Sequence, residues 1–271
     1  MQKRILTIQD YSAMGRCSLT VALPIISSME IECVGLPTAI LSNHTAFPSW
    51  EFVDLTSHML DFVNKWDNFN NSFDMIYTGY LAKGQADVVL KIISKLRENK
   101  TKILIDPAFA DGGKLYPGFD LNHVQDMKKL VCVSNYLVPN LSEACFLTDT
   151  EYDLSNENIH DEVCNKLLQM GAKNVILTGI KKGDQVVCLF KNNDEQFTYG
   201  SHNLNKKFHG TGDVFASALA GCITNGLNNL DAIKKAHDFT TLAMEKTIED
   251  KVDGILYGPE FEKALYLLNR K

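Results

Sequence analysis

The sequence predicts an α/β protein in which a mostly parallel sheet carries helices on both faces, and three observations lead there. Short apolar strands alternate with helical stretches from Ile5 through Thr178. The strands end in polar or turn-forming residues such as Thr78-Gly79, Asp106-Pro107 and Thr178-Gly179, the positions at which α/β folds place ligands. Near the C-terminus, Val214 to Gly221 is too poor in charge to face water, so it forms a buried helix. A length of 271 residues with 45% hydrophobic side chains supports one domain, 1–271, with a substantial core.

Ile5 to Ile8 reads as a short buried strand, followed by a polar, Gly-containing loop from Gln9 to Ser18. The apolar stretch Leu19 to Met29 reads as a helix that Pro24 kinks or delays, because proline lacks a donor N–H and clashes with the preceding turn. Glu32 to Leu41 is the next strand and runs into Ser42-Asn43-His44-Thr45, a polar run that an ordinary turn would also explain. Asp54 to Trp66 is helical, and Phe73 to Leu81 is a strand ending at Gly79 beside Tyr80. The helix Gln85 to Glu98 leads to the strand Lys102 to Ile105, closed by Asp106 and Pro107. Ala108 to Pro117 is a loop whose Asp111-Gly112-Gly113 suits either a lid or a plain surface excursion.

Tyr136 to Val138 is a strand that turns into a helix at Asn140-Leu141-Ser142-Glu143, three-residue spacing that is also the pattern of a capping box. The helix Asn158 to Met170 precedes the strand Asn174 to Thr178, closed by Gly179. Val186 to Phe190 and Gln196 to Tyr199 form a hairpin across Asn192-Asn193-Asp194. The tail, Asn229 to Thr247 and Pro259 to Asn269, is helical and covers the sheet.

The stretch that carries chemistry is Phe208-His209-Gly210-Thr211-Gly212-Asp213, which runs into the buried helix. Its two glycines permit a tight turn with exposed N–H groups, and the helix adds the positive end of its dipole, so the turn suits an anion. Asp213 in the first helical turn is equally the position of an ordinary cap. A buried anion seat with a carboxylate at its lip matches phosphoryl transfer, in which amides neutralise the moving group and the carboxylate takes the proton of the attacking hydroxyl.

Composition narrows the partners. A net charge of −6 without a basic run gives no surface for nucleic acid. The apolar run at the N-terminus is short and meets Gln9-Asp10, so it reads as a first strand and no signal peptide. No stretch approaches the roughly 20 apolar residues of a membrane helix. The seven cysteines are scattered without a C-x-x-C pair, which signals neither a disulfide framework nor a zinc site and fits a cytoplasmic protein.

Gly210-Thr211-Gly212-Asp213 with its buried small-residue helix resembles the signature of the ribokinase-like superfamily. The resemblance covers nearly the whole chain and narrows to vitamin B6 kinases at Ile8-Gln9, Ser42-Asn43-His44-Thr45, Thr78-Gly79-Tyr80, Asp106-Pro107 and Pro139-Asn140-x-x-Glu143. It implies a three-layer α/β/α sandwich and ATP-dependent phosphorylation of the 5′-hydroxymethyl group of pyridoxal, pyridoxamine or pyridoxine. Asp213 is then the base, with Gly210, Thr211 and Gly212 as the anion hole. Asp10, Asn43, His44, Thr45 and Tyr80 would meet the B6 ring. ATP would be met by Asp106, Asp111, Tyr116, Asn140 and Thr178, and Mg2+ by Glu143 and Asp106.

The resemblance also implies a homodimer and leaves room for a monovalent cation such as K+. Two departures stand out: Val138 replaces the threonine that usually precedes Pro-Asn-x-x-Glu, and Asp10 replaces a small polar residue after Ile-Gln. The segment Gln9 to Thr20 is similar to bacterial pyridoxamine kinases. Hydroxymethylpyrimidine kinase and a non-catalytic B6-binding regulator are the alternatives.

Overall fold

The computed structural model describes residues 2–67 and 72–269. The chain runs β1 (Arg4–Ser12), α1 (Leu19–Ser28), β2 (Glu32–Leu41), β3 (Phe52–Asp54), α2 (Thr56–Asn64), β4 (Met75–Thr78), α3 (Gln85–Leu96) and β5 (Lys102–Ile105). Then come β6 (Ala110–Asp111), β7 (Lys114–Leu115), α4 (Leu121–Val131), β8 (Tyr136–Leu137), α5 (Leu141–Leu147) and α6 (Ile159–Gln169). The C-terminal part holds β9 (Val175–Lys182), β10 (Gln185–Lys191), β11 (Gln196–His202), α7 (Thr211–Thr224), α8 (Asn229–Glu249) and α9 (Gly254–Tyr257).

Nine strands form one sheet in the order β11-β10-β9-β8-β5-β4-β1-β2-β3, and β6 with β7 forms a separate hairpin. Pairing is parallel from β2 through β9 and antiparallel only at the edges, where β3 meets β2 and β10 meets β9 and β11. One apolar layer joins the sheet to α2 through α6, and a second joins it to α1, α7 and α8, so the architecture is a three-layer α/β/α sandwich. From β1 the chain steps to β2 on one side and later to β4 on the other, and the crevice at the C-terminal ends of β1, β4 and β5 is the switch point where such sheets bind ligands.

Several expectations need correction. The loop from Gln9 begins late, because β2 continues to pair with Tyr11 and Ser12 past an irregularity after Gln9, and β1 therefore includes Asp10. The first helix starts on time at Leu19 with Pro24 inside it. Gly179 does not close its strand: it takes φ 71° and β9 continues, with the register shifting between Val187 and Leu189 of β10. The edge strand β3, the hairpin β6–β7 and the helix α4 were not expected. Pro259 to Asn269 is no helix but two 3-10 turns, Phe261–Lys263 and Leu265–Leu267, after Gly258 at φ 74° and Pro259 break the chain direction.

Candidate active site

The N-terminus of α7 lies at the switch point and is left uncapped. Its N-cap is Gly210, in the left-handed region at φ 73°, and among the described residues no side chain caps the first helical amides. A Cβ on Gly210 would collide with the Arg16 carbonyl oxygen, so this turn demands glycine twice over, by conformation and by space. Asp213 stands where a first-turn acid could cap its own helix, but its Oδ2 instead accepts the Ser18 N–H at 2.9 Å from the far end of the sequence. Burial lifts the Asp213 pKa to about 7; the Ser18 amide opposes the rise and the Asp10 charge adds to it.

Ser18 is a residue that the sequence did not mark. A serine ahead of an apolar run reads as an ordinary N-cap, yet its hydroxyl makes no cap bond and its backbone takes φ 51° and ψ −131°. That strained geometry is what aims its N–H at Asp213. The segment before it is tied down by the C-terminal turns: the Arg16 N–H donates to the Tyr257 carbonyl at 3.0 Å, and Arg16 Nε donates to Glu262 at 2.9 Å.

Asp106 follows β5 on the same side. It is buried, and its pKa is driven well up by burial and by the nearby charges of Glu143 and Asp213, with the Ala108 amide as the one opposing hydrogen bond. Ala108 itself holds φ 47°. Gly212 has its open side toward Asp106, whose Oδ2 would lie 3.8 Å from a Cβ placed there. Thus the anion turn and a crowded carboxylate face one another.

Asn140 and Glu143 form a complete capping box at α5: Asn140 Oδ1 accepts the Glu143 N–H at 3.0 Å, and Glu143 Oε2 accepts the Asn140 N–H at 2.9 Å. Glu143 Oε1 also accepts the Phe109 N–H at 3.0 Å, and Asn140 Nδ2 donates to the Ala110 carbonyl at 2.7 Å. Burial raises the Glu143 pKa to about 7 against these bonds. The box therefore anchors the β6–β7 hairpin, which carries Asp111 and ends at Tyr116, both exposed. Thr178 is half-buried beside Asn140, with its hydroxyl donating to the Pro139 carbonyl at 3.3 Å.

On the substrate side, Asp10 is buried at the end of β1, where the Ser12 hydroxyl donates to its Oδ2 at 2.8 Å. Burial raises its pKa, opposed by the Ser18 and Ser12 hydroxyls and by His44. Asn43 spends its amide on its own loop, donating to the Ser49 carbonyl at 2.8 Å. Both His44 nitrogens are engaged, Nε2 with the Leu256 carbonyl at 2.7 Å and Nδ1 with the Ala46 N–H at 3.2 Å, so only the ring faces remain, one of them stacked on His209. Thr45 is exposed, and Tyr80 is half-buried with its ring 5.6 Å from that of Phe119. Val138 is buried and its side chain offers no oxygen. Among the described residues no three His, Cys, Asp or Glu side chains already stand in metal-ligand geometry, and no helix is long and apolar enough to cross a membrane.

Comparison with known proteins agrees with this fold. Residues 67–254 match the family model described as phosphomethylpyrimidine kinase. A pyridoxal kinase of Dictyostelium discoideum is 28% identical over 82% of this chain and 78% of its own. A crystal structure from Bacteroides thetaiotaomicron, provisionally named a phosphomethylpyrimidine kinase and containing pyridoxal, is 32% identical with a TM-score of 0.93, over 99% of this chain and 96% of that one. The pyridoxal kinase of Lactobacillus plantarum is 25% identical with a TM-score of 0.91, over 99% and 97% of the two chains.

Proposed function

The chain belongs to the phosphomethylpyrimidine kinase family within the ribokinase-like superfamily, and from that premise we propose that it is a vitamin B6 kinase. It transfers the γ-phosphoryl group of ATP to the 5′-hydroxymethyl oxygen of pyridoxal, pyridoxamine or pyridoxine. The observation that carries this reading is Asp213, with one carboxylate oxygen held by Ser18 and the other left for a hydroxyl at an uncapped helix end. Similarity to proteins named pyridoxal kinase, and to one crystallised with pyridoxal, supports the B6 ring over the smaller pyrimidine.

In this reading the ring lies near Asp10, the His44 face, Thr45 and Tyr80, while Asn43 shapes the loop that holds His44. The 5′-hydroxyl gives its proton to Asp213 as its oxygen attacks phosphorus in line, and the amides of Gly210, Thr211 and Gly212 stabilise the equatorial oxygens. Asp111 and Tyr116 on the hairpin cover the nucleotide, with Thr178 and Asn140 beside it.

The donor set suits Mg2+: Asp106 is a hard ligand crowded by two like charges and holding one backbone donor. Asp106 would bind the ion directly and Glu143 through the ion's water shell, because backbone amides engage both Glu143 oxygens. Bound Mg2+ supplies charge neutralisation on the phosphates. A K+ ion would find no ligand in the Val138 side chain. The protein is further proposed to act as a cytoplasmic homodimer of single-domain subunits.

The test is a side-by-side assay of pyridoxal, pyridoxine, pyridoxamine and hydroxymethylpyrimidine with MgATP, reading the 5′-phosphates by chromatography. The reading expects at least one vitamer to exceed hydroxymethylpyrimidine about tenfold or more in kcat/KM, the range that ring-specific contacts supply. Turnover confined to hydroxymethylpyrimidine overturns it in favour of the thiamine-pathway enzyme, and no turnover of any of them removes the kinase assignment.

A further inference from the structure

Asp10 is a carboxylate at 4% exposure, and among the described residues no lysine or arginine stands beside it. A buried ion is ordinarily matched by an opposite charge, because water no longer supports it. The neighbours of Asp10 are of other kinds. The Ser12 hydroxyl donates to Oδ2 at 2.8 Å, and the ionisable groups around the carboxylate are His44, Tyr80, Cys17 and Asp213. His44 has both nitrogens engaged by Leu256 and Ala46, burial keeps Tyr80 and Cys17 neutral, and Asp213 is a second carboxylate. Arg16, in the loop that follows, pairs instead with Glu260 and Glu262.

The fold sets Asp10 on the floor of the crevice. β4 pairs with β1 only as far as Thr78 and Ile8, whereas β2 stays paired with β1 out to Ser12. Asp10 therefore lies beyond the last β4 contact, where the sheet opens. The loop after it returns so that Ser18 meets both acids, donating its N–H to Asp213 Oδ2 at 2.9 Å and turning its hydroxyl to Asp10. One residue thus spans the two carboxylates, and an acceptor whose hydroxyl reaches Asp213 brings its adjacent substituent toward Asp10.

In the B6 vitamers that adjacent substituent is the 4′ group, on the ring carbon next to the one bearing the 5′-hydroxymethyl, while the ring nitrogen points away from the meta position. The 4′ group is also where the vitamers differ: an aldehyde in pyridoxal, a hydroxymethyl in pyridoxine, and in pyridoxamine an ammonium group at neutral pH. The last alone brings the missing positive charge. We propose that Asp10 is a specificity-determining residue that pairs with the 4′-ammonium group of the acceptor, so that this chain prefers pyridoxamine. The inference rests on the kinase reading above. Charge on both partners makes this hydrogen bond stronger than one to a neutral hydroxyl. Burial raises the Asp10 pKa in the free protein, and a bound ammonium group would offset that same penalty.

The experiment measures kcat/KM for pyridoxamine and pyridoxine, the neutral member of the pair, in the wild type and in Asp10→Asn, with melting temperatures alongside. It is run at pH 8, above the titration of Asp213. The wild type is expected to favour pyridoxamine by about tenfold or more, and Asp10→Asn to lower that ratio by about 10- to 100-fold, the span of a charge-assisted bond. The ratio is the readout, because both substrates lose through a disturbed Ser12 contact and the cationic one alone loses through the missing charge. Asp10→Ser is expected to show the same shift and serves where Asp10→Asn does not fold.

A wild type that takes pyridoxine as well as pyridoxamine overturns the proposal without any variant. So does a ratio that the variants leave within about twofold, which would give Asp10 to the ring nitrogen or, with a lower melting temperature, to its own strand. In both cases turnover of the two vitamers leaves the kinase reading standing, whereas turnover of neither ends both.

Discussion

Two helix N-termini meet at this site, and their polar side chains do opposite things. At α5, Asn140 and Glu143 close a capping box and spend their oxygens on backbone amides. At α7, Gly210 offers no side chain, and Asp213 turns away to the Ser18 N–H. The first arrangement satisfies the helix internally and stiffens a hairpin; the second leaves amides and dipole directed into the crevice, a cost that a bound anion would offset. A first-turn acid is therefore informative only with its partner known, because the same residue class stabilises one helix and serves chemistry at the other.

The largest effect should come from breaking the reserved end. Asp213→Asn is expected to lower kcat by roughly 10² to 10⁴ while ATP binding and melting temperature hold or improve, since a desolvated charge is removed. Steady-state kinetics with a thermal melt would expose the opposite outcome, near-normal kcat with a weakened fold, which is what a mere cap gives. Next in size is the glycine pair. Gly212→Ala meets only an ordinary contact and should fold normally while losing on the order of 10- to 100-fold in kcat/KM, because its methyl group enters the phosphoryl seat. Gly210→Ala should instead lower the melting temperature, through φ 73° and the Arg16 carbonyl. Equal behaviour of the two variants would remove the distinction drawn between them.

The acid–base comparison is subtler. With Asp213 raised to about 7, kcat/KM should climb with pH and level off above that value, because the base works only when ionised. Asp10→Asn removes a like charge and should move this limb to lower pH. The sign for stability is reversed. Asp213 and Glu143 both have folded pKa values of about 7, above their unfolded values near 4, so the folded state holds extra protons between these limits. Their contribution is full below about pH 4 and declines as pH rises to 7. The free protein should accordingly melt lower at pH 8 than at pH 5.5 as far as these groups decide it, and less so in Asp213→Asn; a limb or a melt with the opposite slope would contradict the assigned burial.

The smallest effect belongs to α5. Asn140→Ala should cost about 1 kcal/mol of stability as a lost cap, with a loss in kcat well below that of Asp213→Asn. Glu143→Gln should lower the melting temperature further, because an amide N–H would face a backbone N–H, and should shift the Mg2+ requirement only modestly. A large Mg2+ shift at unchanged melting temperature would make Glu143 a direct ligand.

The sequence made the parallel sheet and the anion turn legible because both are local: apolar periodicity marks strands and helices, and two glycines around a threonine mark the turn. Asp106 was legible as an acid at a strand tip. What could not be read was long-range. Ser18 looks like any cap, and its bond to Asp213 spans nearly the whole chain. Asp10 reads as a loop residue, whereas β2 extends the strand through it and the Ser12 hydroxyl donates to its carboxylate. His44 was expected to meet the ring, and the C-terminal turn at Leu256 and the Ala46 amide, which engage both nitrogens, leave a ring face for that contact.

The most direct test of the difference between the two helix ends is a crystal structure with MgADP, aluminium fluoride and pyridoxal. The account predicts the fluoride complex on the amides of Gly210 to Gly212, with the 5′-oxygen of pyridoxal about 2.6–3.2 Å from Asp213 Oδ1 and Oδ2 still on Ser18. An anion seated at the α5 end instead, or a 5′-oxygen bonded to Asp106 or Asp10 rather than Asp213, would contradict it.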